Sequence, residues 1–203
     1  MLFSYKMTDD TGFAPNPFHG FMTLANCKSE IRRIKNPILD KNLYIAGFTS
    51  NQLCGEKVGE ETLVFLMKVQ EKVTYKEYFT NIRFQCKIPN NNNGIGKAGD
   101  NIYQPDHNEQ LGFKQLENYN HDCGNIKSDL KGLYVLISNE FYYFGSGAIP
   151  VNNLGLKIPS VQAGHGVKSP NFQALLDYLE QNKFAKNIAI HPPHKWKENE
   201  PFN

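Results

Sequence analysis

The sequence predicts an α+β fold: a mixed, largely antiparallel sheet curled into a small barrel, with a few short helices. Three observations carry this. Short runs rich in Val, Ile, Phe and Tyr recur along the chain, and these residues suit a pleated, half-buried surface. Helical signals are confined to one short inserted segment and one segment near the C-terminus. Strands do not alternate with long helices, which argues against a doubly wound parallel sheet. A chain of 203 residues suits one domain over 1–203, with ample material for a core.

Leu2 to Tyr5 alternates weakly and is expected to be the first strand. Lys6 to His19 carries two prolines, a glycine and two aspartates, so no regular structure is expected there. Leu43 to Phe48 reads as a buried strand in which Gly47 lets another backbone approach. Leu63 to Val69 is the clearest strand. Thr74-Tyr-Lys-Glu77 has the spacing of a capping box and opens a helix from Tyr75 to about Asn81. Tyr75, Tyr78 and Phe79 share one face of it. Phe84 to Ile88 is expected to extend toward Pro89.

Residues 89–101 are expected to form a flexible loop. It holds Gly94-Ile-Gly96-Lys-Ala-Gly99, a literal Gly-x-Gly-x-x-Gly. The dinucleotide fingerprint must follow a strand and open a helix. Here the run follows Pro89 and four asparagines, so the dinucleotide reading is rejected.

Val135 to Ser146 predicts a β-hairpin turning at Ser138-Asn-Glu140, near the middle of the sheet. Alternation sends Phe141 and Tyr143 to one face, and Tyr142 and Phe144 to the other. One face is core; the other is core as well or lines a pocket that stacks a flat ring. His165, between Gly164 and Gly166, either leaves room for a ligand or marks a turn. Ser169 and Pro170 are expected to start a terminal helix whose core stripe is Phe172, Leu175, Leu176 and Leu179. An irregular tail follows from about residue 191.

The net charge of +2 provides no strong footprint for nucleic acid, leaving room only for a local basic patch. No apolar stretch approaches a bilayer-spanning length, so no membrane partner is expected. The start lacks the apolar region of a signal peptide, and a cytoplasmic location is expected. Cys27, Cys54, Cys86 and Cys123 are scattered without a Cys-x-x-Cys pair, so free thiols are expected. His121-Asp-Cys123 and His191-Pro-Pro-His194 lack partner pairs at a familiar ligand spacing; no metal and no cofactor are expected.

The chemistry-bearing residues gather in a few places. The Lys6–His19 segment holds Asp10, Asn16 and Phe18, and loops on a rigid scaffold often carry function. Arg32 and Arg33 point in different directions, so one reaches a phosphate while the other pairs with a carboxylate, or both are solvated. His121 sits beside Asp122, but adjacent side chains rarely meet. It acts alone as a reader or general base, or the segment is a turn capped by Asp122. Cys27 lies near Lys28 and Arg32 in sequence, which lowers a thiol pKa if they meet; otherwise it is a buried structural thiol.

Phe13-Ala-Pro-Asn-Pro-Phe18, Leu24-Ala-Asn-Cys27 with Ile31-Arg-Arg33, Gly99-Asp-Asn-Ile-Tyr103 and Ser138-Asn-Glu-Phe-Tyr-Tyr-Phe-Gly145 occur in this order. Together they resemble the nucleotide modification associated domain 2 family, over most of the chain, roughly from Lys6 to His165. Members are associated, largely by genomic setting in phages and bacteria, with DNA that contains modified bases. The resemblance implies nucleotide or nucleic-acid chemistry, with DNA or a nucleotide carrying a modified base as partner. Separately, Val69 to Tyr78 resembles the strand-to-helix step of PUA-like barrels, which implies a similar small barrel.

Three functions follow. In the favoured one the chain binds a base or nucleotide in an aromatic-lined pocket, with Asp10, Asn16, Phe18, Tyr142 and Phe144 around the base. Arg32, Arg33 and Lys87 then stand at the rim for phosphate. In the second the chain is an enzyme that installs or processes a modified base, with Asp10 or His121 as general base and Cys27 as nucleophile. In the third it is a protein-interaction domain without a ligand.

Overall fold

The computed structural model describes residues 1–33, 42–160, 167–169 and 171–202, without the Cys123 side chain. His165 and Pro170 lie outside the described residues, as does the Cys123 thiol. The strands are β1 (Leu2–Lys6), β2 (Met22–Leu24), β3 (Tyr44–Phe48), β4 (Thr62–Lys68), β5 (Glu71–Thr74), β6 (Tyr103–Pro105), β7 (Phe113–Gln115), β8 (Tyr134–Ser138), β9 (Phe141–Tyr143), β10 (Ile149–Pro150) and β11 (Val167–Ser169). The α-helices are α1 (Ser29–Arg32), α2 (Asn51–Cys54), α3 (Tyr75–Thr80), α4 (Gly94–Lys97), α5 (Ile126–Leu130) and α6 (Gln173–Gln181).

The architecture is α+β with mostly antiparallel pairing. A six-stranded sheet runs β10-β4-β3-β1-β11, and β9 also pairs with β4. Its one parallel pair among the described residues is β1 with β3. A three-stranded sheet runs β2-β8-β5, and β6 pairs with β7. The described strands form these separate sheets and do not close into a barrel, which corrects the expected PUA-like barrel.

The expected hairpin at Tyr134–Gly145 is also corrected. β8 and β9 are consecutive but never pair; they belong to different sheets. β9 lies against β4 with Met67 opposite Phe141, and β8 lies against β5 with Glu71 opposite Ile137. Four steps forward on one chain match four steps back on the other, so no residue is inserted between them. The two sheets are halves of one long antiparallel ladder that bends at its middle, as strands do when they switch sheets. The bend is held by local polar bonds. Ser138 Oγ donates to Glu140 O at 2.8 Å, and Asn139 N donates to Gln70 Oε1 at 2.6 Å. The Ser-Asn-Glu break therefore turns the strand into a second sheet rather than back on itself.

Layering follows from alternation. Phe141 and Tyr143 face a core that also holds Tyr5, Met22, Leu24 and Leu136, between the two sheets. Tyr142 and Phe144 face a second core closed by Leu175 and Leu179 of α6. On the far side of the small sheet, Val135 and Ile137 pack with Tyr75 and Tyr78 of α3 and with Tyr103 of β6. α3 starts as expected: the Thr74 side chain accepts from Glu77 N, and the Glu77 side chain accepts from Thr74 N at 2.7 Å.

Several local expectations change. Phe84 to Ile88 is not extended: Ile82–Lys87 is a 3-10 helix whose Phe84 is buried. Within 89–101, Gly94–Lys97 forms a helical turn capped by the Asn93 side chain. Asp100 and Asn101 are buried beyond it. Ser169 ends β11 instead of capping a helix, and α6 begins at Gln173. A methyl group on Gly47 would collide with the Phe65 ring and Met7 Sδ, so the close approach there is by side chains. The C-terminal segment runs along β9: Asn187 N donates to Phe141 O at 3.0 Å and Ile190 N to Tyr143 O at 2.9 Å.

Candidate functional site

A cavity of about 320 Å³ opens at the end of β1, within the usual size range of small-ligand pockets, roughly 300–1,000 Å³. Three segments wall it: Tyr5 to Ala14, Cys27 to Glu30, and Asn120 with His121. Each is positioned for a physical reason. Tyr5 and Met7 leave β1 pointing into the inter-sheet core. Cys27 and Lys28 have φ of 56° and 41°, a left-handed backbone that non-glycine residues adopt only when the surroundings demand it. The demand comes from both sides of Cys27. Its N–H donates to Asp129 Oδ1 at 2.7 Å, and its carbonyl accepts from Arg32 Nε at 2.7 Å.

Asp129, on α5, organises the wall. Its Oδ2 accepts from Tyr103 Oη at 2.8 Å and lies 2.7 Å from His121 Nε2. Burial works to raise this carboxyl, but the bonds from His121 and Tyr103 and the Arg32 charge outweigh it and hold the pKa below the usual carboxylate range. With Nε2 held by Asp129, His121 keeps Nδ1 as its other polar atom, and its ring packs at 5.0 Å on Phe13. The segment before it is pinned as well: Asn118 Nδ2 donates to Gly99 O at 2.8 Å, and Asn120 Nδ2 donates to Lys97 O at 3.3 Å. The helical turn α4 thus helps to fix His121.

The Cys27 thiol reaches solvent through the cavity yet is crowded by protein atoms. Burial pushes it up to about 11, and Asp129 adds to this, while Arg32 and Lys28 pull the other way. At rest it is a protonated thiol, not an activated thiolate. Burial also lowers the Lys28 ammonium, whose Nζ lies 4.5 Å over the Tyr5 ring. Tyr5 itself is only 1% exposed, and its hydroxyl has no hydrogen-bond partner among the described residues. A buried, unpaired hydroxyl is costly unless something else bonds it, and this one belongs to a residue of the cavity wall.

The residues expected to act together are dispersed. His121 and Cys27 do meet, at the cavity. Asp10 is buried off its wall: its carboxylate accepts from Tyr143 Oη and, at 3.1 Å, from His194 N, and lies 2.9 Å from His194 Nδ1. Asn16 uses its amide inside the protein, donating to Ala98 O at 2.8 Å and accepting from Lys87 Nζ at 2.7 Å. Phe18 is buried against Trp196, 5.3 Å between ring centres. Tyr142 and Phe144 stack on each other under α6, on the opposite face from the Tyr5 side of the sheet.

The expected phosphate rim does not form either. Arg32 is fully buried, donating to Tyr134 O at 2.9 Å, to Asp129 O at 2.8 Å and to Tyr75 Oη. Lys87 is also inside, bonded to Asn16 O at 3.0 Å and Phe21 O at 2.9 Å. Arg33 is exposed and pairs with Glu30 at 2.7 Å. Among the described residues no group of three or more His, Cys, Asp or Glu is placed to hold a metal ion. Cys27, Cys54 and Cys86 are free thiols.

Sequence reasoning missed Tyr5 and Ser29 as wall residues, and Asp129 as the partner behind His121. The carboxylate that serves His121 is eight residues away rather than adjacent. That spacing, from a turn into the helix that follows, is a signal the sequence did contain.

Fold and site together define an α+β domain with a small-molecule-sized cavity of mixed polar and apolar lining and a carboxylate-held histidine at its wall. The model of one family, nucleotide modification associated domain 2, matches residues 1–200, and the chain belongs to that family. No curated protein and no solved structure matches it. Membership implies involvement in nucleotide modification. Among the described residues no helix is long and apolar enough to cross a membrane.

Proposed function

We propose that the cavity beside His121 takes the base of a nucleotide, free or within a nucleic acid, and that His121 exchanges a proton with it. The observation that supports this best is the unpartnered Tyr5 hydroxyl, buried at a wall shared with the Asp129-held His121 and with Cys27. A base edge needs donors and acceptors beside flat apolar surface, and the wall has both: Phe13 and Met7 beside Thr8, Asp9, Ser29 and Asn120. These replace the residues that the sequence suggested for the same chemistry. Asp129 holds Nε2 and so orients the imidazole, the usual duty of a carboxylate behind a catalytic histidine. Cys27 is the candidate nucleophile: its sulfur adds to an electrophilic ring carbon of the base, the ring double bond at that carbon opens and its electron pair moves onto the ring, and the thiol proton, held at rest by the raised pKa, passes to His121 in the same cavity. The likeness to PUA-like domains enters only as shared ligand chemistry, a base held by a small sheet protein. A modified base is the family-based expectation for the ligand.

Calorimetric titration with a panel of normal and modified nucleoside 5′-monophosphates tests the reading. At least one member binds, and Tyr5→Phe weakens it by about 1 kcal/mol while raising the stability of the free protein, because an unpaired buried hydroxyl is gone. Mass spectrometry of the incubated nucleotide shows conversion that His121→Gln abolishes. A panel in which nothing binds removes the proposal; binding without conversion leaves a reader of bases.

A further inference from the structure

We infer that the cavity is one end of a surface track for a single-stranded polynucleotide, with the base next to the bound one stacked on Tyr119. The inference rests on the reading of the cavity as a base site and names its substrate class. Three depressions join in a line. The cavity shares Thr11 and Asn120 with a small cleft, and that cleft shares Lys97 and Tyr119 with a groove of about 480 Å³ that continues past Asn118 to Pro89.

The lining of this line is what an unpaired strand requires. Tyr119 is 76% exposed, the one aromatic ring among the strongly exposed large apolar side chains described. Sequence-tolerant single-strand binders use such rings as stacking platforms between basic side chains. Lys197 Nζ stands 5.3 Å from the Tyr119 ring centre, and Lys97 and Lys195 line the same cleft. Lys97 pairs with Glu200 and Lys195 with Asp9, both at 2.9 Å and both partly exposed. Pairs of this kind hold little free energy and exchange readily for phosphates. Glu117 and Glu200 on the same surface temper the field, which suits a few phosphate contacts rather than a deep basic channel.

Platform and histidine also belong to one pinned segment. Tyr119 precedes His121 by two residues, and Asn118 and Asn120 on either side are bonded to Lys97 O and Gly99 O. A base in the cavity and a neighbour on Tyr119 are therefore held in a fixed relation. A duplex presents either one only at the added cost of unpairing and unstacking, because a base must leave its stack to enter a cavity.

Fluorescence anisotropy with labelled oligodeoxythymidylates of one, two, four and eight nucleotides, matching oligouridylates, and a blunt duplex tests this. Affinity is expected to rise at least tenfold between one and four nucleotides and to be much weaker for the duplex. Tyr119→Ala lowers the ratio of eight-nucleotide to mononucleotide affinity roughly tenfold, and Tyr119→Phe restores it. Lys197→Ala makes the salt dependence shallower by about 0.7 in log–log slope, one phosphate's share for a single strand. The deoxy and ribo series separate DNA from RNA as the source of the strand. Equal affinity for one and eight nucleotides, or an unchanged ratio in Tyr119→Ala, overturns the track while leaving a mononucleotide cavity standing. Length-dependent binding that needs Tyr119 but ignores Tyr5→Phe and His121→Gln keeps the track and removes the cavity reading. Binding of no strand at any length overturns both.

Discussion

Cys27 shows how one residue's chemistry is set by its neighbours rather than by its type. Its backbone is left-handed because Asp129 takes its N–H and Arg32 its carbonyl. The same Asp129 charge, after burial, keeps the thiol protonated, while Arg32 pulls weakly the other way. An exposed thiol with a lysine and an arginine nearby in sequence is expected to be acidic; this one is not, since desolvation outweighs those charges. Alkylation of Cys27 by iodoacetamide, followed by peptide mass spectrometry, should therefore be slow at pH 7 and climb until about pH 11. A rate that levels off near pH 8 would mean that the thiol is not desolvated as described.

At the scale of elements, the bent ladder and the short 3-10 helix place the site. The ladder carries β4 and β9 into one sheet and β5 and β8 into the other, and the bend leaves a core between them that Tyr5 and Met7 enter. The 3-10 helix Ile82–Lys87 sends Lys87 into that interior, where its ammonium ties Asn16 to Phe21 ahead of β2. Burial lowers the Lys87 pKa to about 8, with Asp100 and Cys86 opposing the shift. The folded value is thus below the unfolded one, about 10.4. Between these values the unfolded chain binds the extra proton, so this group makes stability rise with pH across that window. Urea unfolding of the parent and of Lys87→Met at pH 8 and pH 10.5 isolates it. The variant is less stable at both, because Asn16 O and Phe21 O lose their donor, and it lacks a rise of roughly 3 kcal/mol that Lys87 contributes to the parent. Identical pH slopes in the two proteins would show that Lys87 is not charged and buried at pH 8.

At the scale of the molecule, the C-terminal segment closes the structure. It adds to the edge of β9 through Asn187 and Ile190, accepts from Ser146 N at Pro192 O at 2.8 Å, and places His194 on Asp10 and Trp196 on Phe18. Asp10 links the loop after β1, β9 and this segment, so the loop that walls the cavity is braced from the far end of the chain. Deleting residues 187–203 should cost at least about 3 kcal/mol, one for each of three backbone bonds, before any loss of packing. Chemical denaturation measures this; a truncated chain as stable as the parent would mean that the segment is an ornament on a core complete without it.

What the sequence alone determined is whatever a short window encodes. The α+β class, the strands at β1, β3 and β4, the capping box of α3 and the alternation of Phe141 to Phe144 are all set by period, branching and caps. The family was legible too, from four short motifs in order, and the match over 1–200 agrees. Of the site, His121 and Cys27 were legible as chemistry, because their side-chain types are reactive anywhere. Their common cavity was not, because Asp129 reaches Cys27 across 102 positions of sequence. The tertiary structure decided that the Ser138-Asn-Glu140 break bends a strand into a second sheet, since Gln70 was there to bond Asn139. It also decided that Asn16, Arg32 and Lys87, polar residues that look like ligand contacts, are spent inside the protein. Burial without partners is too costly, and whether a polar side chain finds its partners at home or in a ligand depends on which backbone carbonyls the fold brings beside it.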